Sequence, residues 1–230
     1  TAVQLITEIS KNIGQLSVFQ RTANYCVPLD NRPVTPGEQA DMKARYQEIF
    51  ARCRETFGAF IHDFDTRSVF DVSDEERETI FETLWSEPGF VFWLGNFFDI
   101  MTDEKANEKI AEFVRRKIRE RVTDPVVAER LTPRNHCFGT KRVPLESGYY
   151  EAYNRENVEL VDLHATPIER ISLNGIITTA QTYQLDIIIY ATGFDAVTGA
   201  LTRIDILGED GTSLKNKWRD GPRTYLGLQI

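Results

Sequence analysis

Cysteine is scarce in this 230-residue sequence: Cys26, Cys53 and Cys137 are the only three. Their number is odd, they lie far apart, and no pair has Cys-x-x-Cys spacing. That argues against a disulfide framework and against a structural zinc site, and points to the reducing cytoplasm. Histidine is equally sparse. His62, His136 and His164 fall in no Ser/His/Asp or Cys/His grouping, so each is expected to be a surface or capped residue rather than a base or ligand. No apolar run has membrane-spanning length and no signal-peptide pattern is visible. Positive charge is the minority sign, with 27 Lys and Arg against 35 Asp and Glu and a net charge of −8. No basic stripe dominates, so a nucleic-acid partner is not expected. An initiator Met is also missing. Thr1-Ala-Val-Gln-Leu-Ile reads as helix from the first residue, with Val3, Ile6 and Ile9 at helical spacing. Tyr225 to Ile230 reads as a strand. These ends suggest an internal piece of a longer protein.

What is present is ordinary globular material, long enough for one large domain or two small ones around a real core. The helix at the start is expected to end near Gly14, as a C-terminal cap, before a short strand from Leu16 to Arg21. From residue 35 the pattern turns helical. Thr35-Pro-Gly-Glu38 is a capping box with Pro at the first helical position, and Met42, Tyr46, Ile49, Phe50, Cys53, Phe57 and Phe60 follow as an apolar stripe. Ser73-Asp-Glu-Glu76 is a second box, leading to Ile80, Phe81, Leu84 and Trp85. A third helix near Thr102 carries Ile110, Phe113, Val114 and Ile118, and Asp124-Pro125 opens a fourth. The charges from Arg115 to Arg121 read as a solvated face. The aromatic run from Phe90 to Phe98 suits a packed helix interface better than the wall of an apolar channel.

After residue 135 the α/β pattern returns. Val158 to Asp162 is a strand, and Ile168–Ile171, an Asn174-Gly175 turn and Ile176–Thr178 form a hairpin. The run Leu185-Asp-Ile-Ile-Ile-Tyr190 has four consecutive large apolar residues, which suits a central parallel strand covered on both faces. It ends in Ala191-Thr192-Gly193, then Phe194 and Asp195, where small residues let backbone approach a ligand. The expected fold is α/β. A Rossmann-like NADP-binding domain (residues 1–34 and 136–195) carries an inserted, mostly helical subdomain (35–135). Residues 196–230 begin the return to an FAD-binding domain, and the whole is truncated at both ends.

Two basic pairs carry the candidate chemistry. The second strand of a Rossmann unit usually ends in an acid that binds the ribose of NAD. Here it ends in Gln20-Arg21-Thr22, and a guanidinium beside a hydroxyl suits a 2′-phosphate, which favours NADP. An exposed strand-end arginine without a ligand satisfies the same pattern. Lys141-Arg142 precede Val143-Pro144 on a loop; adjacent cations serve an anion or are simply solvated.

Jointly, these segments resemble the Baeyer–Villiger monooxygenases, of the wider flavin-containing monooxygenase group. Thr1-Ala-Val-Gln4 looks like the tail of that family's second Gly-rich motif, and Val18-Phe-Gln-Arg21-Thr22 like its strand-end segment. Lys141-Arg142, Ser147-Gly-Tyr-Tyr150 and Tyr153-Asn-Arg155 resemble its arginine loop, Asp186 to Asp195 its Ala-Thr-Gly motif, and Trp218-Arg-Asp-Gly-Pro222 a later pattern. The resemblance implies an enzyme that uses NADPH, FAD and O2 to insert oxygen beside the carbonyl of a small-molecule ketone. An ester or lactone forms by way of a C4a-peroxyflavin. It implies that Arg142 is the catalytic arginine stabilising negative oxygen. Arg21, Thr22 and Lys141 would hold the 2′-phosphate. Thr1, Ala2 and Gln4 would lie near the pyrophosphate, and Ala191, Thr192 and Gly193 would lead back to the FAD domain. No metal and no membrane are implied. An N- or S-oxygenating flavin monooxygenase, an NADPH-dependent reductase and a helical interaction domain remain alternatives.

Overall fold

The computed structural model describes residues 2–30, 32–193 and 198–226. Thr1, Phe194, Asp195 and the last four residues of the expected final strand lie outside them. The chain divides into two compact units, Thr1–Asp186 and Ile187–Ile230.

The first unit opens with helix α1 (Ala2–Ile9), which buries Ile6 and Thr7 on the face that the apolar spacing marks. It stops at Ile9, five residues before Gly14. Gly14 is exposed and has no left-handed φ, so it is not the cap expected of it. Strand β1 (Leu16–Gln20) follows, and then the short β2 (Val27–Pro28).

The helical block is entered through the complete Thr35–Glu38 capping box of α2 (Pro36–Ala44). Helix α3 (Tyr46–Glu55) comes next. Neither helix buries a residue. The apolar stripe is largely open, with Phe50 at 52% and Phe57 at 87% exposure. Periodicity records which residues share a face; it does not supply a partner for that face. Helix α4 (Asp74–Ser86) starts on the Ser73 cap, and α5 (Val91–Leu94) and a 3₁₀ turn (Phe98–Met101) follow.

Helix α6 (Glu104–Arg121) is capped by Asp103 and is the axis of the core, burying Ile110, Phe113, Val114 and Ile118. Phe81 of α4 meets Phe113 edge-on at 5.3 Å, and Phe92 stacks on Phe113 at 5.6 Å. The aromatic run is therefore the packed interface. The basic run on α6 is not a free solvated face. Arg115 is buried against Glu108, Lys117 meets Glu82 at 2.6 Å, Arg119 meets Glu129 at 2.7 Å, and Arg116 pairs with Glu78. Helix α7 (Pro125–Leu131) begins at Asp124, as expected.

The chain then returns through β3 (Leu145–Glu146), α8 (Tyr149–Ala152) and β4 (Val158–Asp162). β4 lies parallel to β1, with Leu16 opposite Val158 and Gln20 opposite Asp162. β3 lies parallel to β2. The expected hairpin is formed by β5 (Ile168–Ser172) and β6 (Gly175–Thr178), extended by β7 (Thr182–Gln184) into an antiparallel three-stranded sheet.

The strand expected over Leu185–Tyr190 is not formed. These residues have no ladder partner among the described residues, and Ile187 and Tyr190 are 77% and 69% exposed. The boundary between units falls inside the run, after Asp186. An apolar run becomes a strand only where a neighbouring strand takes its N–H and C=O groups.

The second unit contains α9 (Gly199–Thr202) and α10 (Leu214–Lys217), the latter capped by Ser213. Trp218 is buried and its indole N–H donates to the Arg223 carbonyl at 3.1 Å.

Candidate functional site

Arg21 stands immediately after β1, at the carboxyl end of a parallel pair, the position where open α/β sheets hold ligands. The chain beyond it is fastened residue by residue to a segment more than a hundred positions away. The Asn24 amide Nδ2–H donates to the Arg142 carbonyl at 3.0 Å. The Tyr25 hydroxyl accepts from Arg115 Nη2 at 2.9 Å and lies 3.4 Å from the carbonyls of Pro133 and His136. The Cys26 N–H donates to the Tyr150 hydroxyl at 3.2 Å, and the Val27 N–H to the Pro144 carbonyl at 3.1 Å. Tyr25, Cys26 and Val27 are almost completely buried.

This stitching brings the Arg21-Thr22 strand end and the Lys141-Arg142 loop to one edge of the first unit. Arg21, Lys141 and Arg142 are exposed, and among the described residues no carboxylate lies within salt-bridge reach of any of them. Arg115, Arg116, Lys117, Arg119 and Arg121 of α6 differ, each being matched to Glu. Exposed cations left without carboxylate partners on one edge suit an anionic ligand.

The loop's shape is set locally. Gly139 has φ of +84°, and a Cβ there would come within 2.7 Å of Met101 Cε, so only glycine makes this turn without displacement. Gly148, at φ of +88°, turns the chain into α8, whose Tyr149 and Tyr150 are buried.

Two residues at the edge carry no sequence signal. Asn24 is one, and His136 is the other: its Nε2 lies 3.1 Å from Asn24 Oδ1 and its Nδ1 2.7 Å from Asn135 Oδ1. Burial, with the charges of Lys141 and Arg115, pushes the His136 value down, which keeps the ring neutral at pH 7. Of the other site residues, Ala2 and Gln4 occupy the first turn of α1, which carries no acidic side chain. Ala191, Thr192 and Gly193 belong to the second unit, are exposed and lie outside regular structure.

A parallel-strand unit with helices packed beside it is of the Rossmann-like α/β class. Known proteins similar to it narrow this further. No family profile matches the sequence. The chain is 48% identical over 229 residues to 2-oxo-Δ(3)-4,5,5-trimethylcyclopentenylacetyl-CoA monooxygenase of Pseudomonas putida, covering 100% of this chain and 42% of that protein. It is 42% identical to cyclopentanone 1,2-monooxygenase of a Comamonas species, covering 99% and 42%. A crystal structure of OTEMO in complex with FAD and NADP superposes on it with a TM-score of 0.95 at 48% identity, over 100% of this chain and 43% of that one. The chain is similar to Baeyer–Villiger monooxygenases, one of them, from Pseudooceanicola batsensis, at 40% identity. It spans about two fifths of the length of the curated relatives it matches.

Proposed function

We propose that the protein serves an FAD- and NADPH-dependent monooxygenase that inserts one oxygen atom of O2 beside the carbonyl of a small-molecule ketone, giving an ester or lactone. The observation that carries this is the fastening of residues 24–27, just beyond Arg21-Thr22, to the segment that carries Lys141-Arg142, through the Asn24–Arg142, Cys26–Tyr150 and Val27–Pro144 hydrogen bonds. The edge fits a dinucleotide bearing a 2′-phosphate. Arg21 and Lys141 provide charge and Thr22 a hydroxyl, while the acid that would favour the ribose of NAD is missing from the strand end. Ala2 and Gln4, with Thr1, would flank the pyrophosphate at the start of α1. The Ala191–Gly193 segment would lead into the FAD-binding part.

Bound flavin supplies the activation of O2, which no side chain here can perform. Arg142 contributes a permanent positive charge. A guanidinium cannot act as a proton source at working pH, so it stabilises negative oxygen without quenching it. We propose that residues 1–34 and 136–195 form the NADP-binding part, residues 35–135 an inserted helical part, and residues 196–230 the start of the return to FAD. The proposed setting is the cytoplasm, consistent with three free thiols.

The test uses the full-length protein. It should show the absorption of bound oxidised flavin and convert a cyclic ketone to a lactone carrying one atom from ¹⁸O2. Arg142→Ala should cut ester formation by roughly a hundredfold or more, the usual loss on removing a charge-stabilising group, with NADPH-driven flavin reduction largely kept. Ester formation surviving in Arg142→Ala would remove the role given to this residue.

A further inference from the structure

Asn24, just beyond Arg21-Thr22, and Arg142 are 118 residues apart, yet the Asn24 side-chain amide reaches the Arg142 carbonyl. The Arg142 carbonyl can only accept, so Asn24 must present Nδ2–H to it. That leaves Asn24 Oδ1 facing His136 Nε2 at 3.1 Å, and since an amide oxygen only accepts, that ring nitrogen donates. Its Nδ1 lies 2.7 Å from Asn135 Oδ1, so the ring is held from both sides. The backbone on both sides is held independently. Tyr25 is locked by Arg115 and the 133–136 turn, and Val27 by Pro144. Asn24 is therefore not needed to join the segments. What its amide adds is a hold on the Arg142–Val143 peptide, and so on the offset of the Lys141-Arg142 loop from the strand end that carries Arg21 and Thr22.

We propose that Asn24, braced by His136, is a positioning residue that sets the Lys141-Arg142 loop against Arg21-Thr22, so that cations from both segments act on one phosphate. This rests on the NADP-binding role proposed above. Asn24 touches the Arg142 backbone and not the side chain, so its effect is on the placing of charge and leaves the amount of charge unchanged. The selectivity it governs is for a nucleotide bearing a 2′-phosphate over one without it.

The experiment is calorimetry on the full-length protein with two probes, adenosine 2′,5′-bisphosphate and adenosine 5′-monophosphate. Lys141→Ala should reduce the preference for the bisphosphate by about tenfold, the worth of one charge-assisted contact. Asn24→Ala should reduce it by about fivefold and leave the monophosphate affinity within about twofold, since only the 2′-phosphate contacts are displaced. In a Lys141→Ala background Asn24→Ala should cost almost nothing more, because the two act through one contact. A residue that mattered only for stability would weaken both probes together. If Asn24→Ala does not fold, His136→Ala decides, with a smaller loss in the same ratio expected. The inference is overturned if Lys141→Ala lowers the ratio while Asn24→Ala and His136→Ala leave it unchanged. If Lys141→Ala and Arg21→Ala both leave the ratio unchanged, the NADP role itself is wrong and the positioning role falls with it.

Discussion

Arg121, the last residue of α6, clasps the buried carboxylate of Glu146 with contacts of 2.6 and 3.2 Å. The same guanidinium holds Glu151 at 2.6 and 2.7 Å, and the Tyr149 N–H donates to Glu146 at 2.8 Å. Glu146 lies in β3, four residues after Arg142, so this cluster anchors the far end of the arginine loop to the central helix. Glu146 is only 2% exposed and has nowhere to find water if Arg121 is removed.

Arg121→Ala is therefore expected to destabilise the fold by about 3–5 kcal/mol, as for other buried pairs broken on one side. Replacing both partners with apolar residues of similar size should recover most of that loss. Urea unfolding followed by circular dichroism checks it, and equal losses in the single and double variants would contradict the account.

A second prediction concerns alkali. Burial pushes the Cys26 thiol up to about 12 from an ordinary value near 9, and the hydrogen bond with Tyr150 only partly offsets this. Burial likewise raises Tyr149, Tyr150 and Tyr153. Groups whose folded values are raised favour the fold fully below their unfolded values, and that contribution is lost as pH rises through the folded ones. Stability should thus be flat with respect to these groups up to about pH 9 and fall between there and about pH 12. In a thiol-labelling series at pH 8, exposed Cys137 should react first and Cys26 only on unfolding. Early labelling of Cys26 would show that its cover opens locally.

The three-stranded sheet depends on one glycine. Gly175 has φ of +145°, and a Cβ there would stand 1.8 Å from the Tyr183 carbonyl oxygen. Gly175→Ala must break the β6–β7 pairing or move it, at a cost of at least about 2 kcal/mol. Faster amide exchange at Ile176, Ile177 and Tyr183 should report the damage, with β1 and β4 unaffected.

Two phenylalanines on helices that read alike should behave differently. Phe81 is 2% exposed and packs on Phe92, Phe97 and Phe113, so Phe81→Ala should cost about 3–5 kcal/mol. Phe50 is 52% exposed, and Phe50→Ala should stay within about 0.5 kcal/mol. Thermal melts of the two variants are enough to separate them.

Features that need only near neighbours in the chain were legible in the sequence. The caps at Thr35, Ser73 and Asp124 are hydrogen bonds to N–H groups two or three residues on. The β5–β6 turn and the short β1 strand are similarly local, and the basic pairs at 21–22 and 141–142 stood out as residue types. The strand expected at 185–190 is absent, and the apolar stripe on α2 and α3 is left open, for one shared reason. Each pattern describes a surface able to be buried, and burial needs a partner that the pattern does not name. Asn24 and His136 were invisible for a related reason. An asparagine and a histidine 112 positions apart have no meaning in sequence until the chain returns and lays one against the other. By itself the sequence determined where helices start, which faces are apolar and which cations are unusual. Only the tertiary structure decided which faces are covered and which cations share an edge, because those depend on contacts whose range along the chain has no periodic trace.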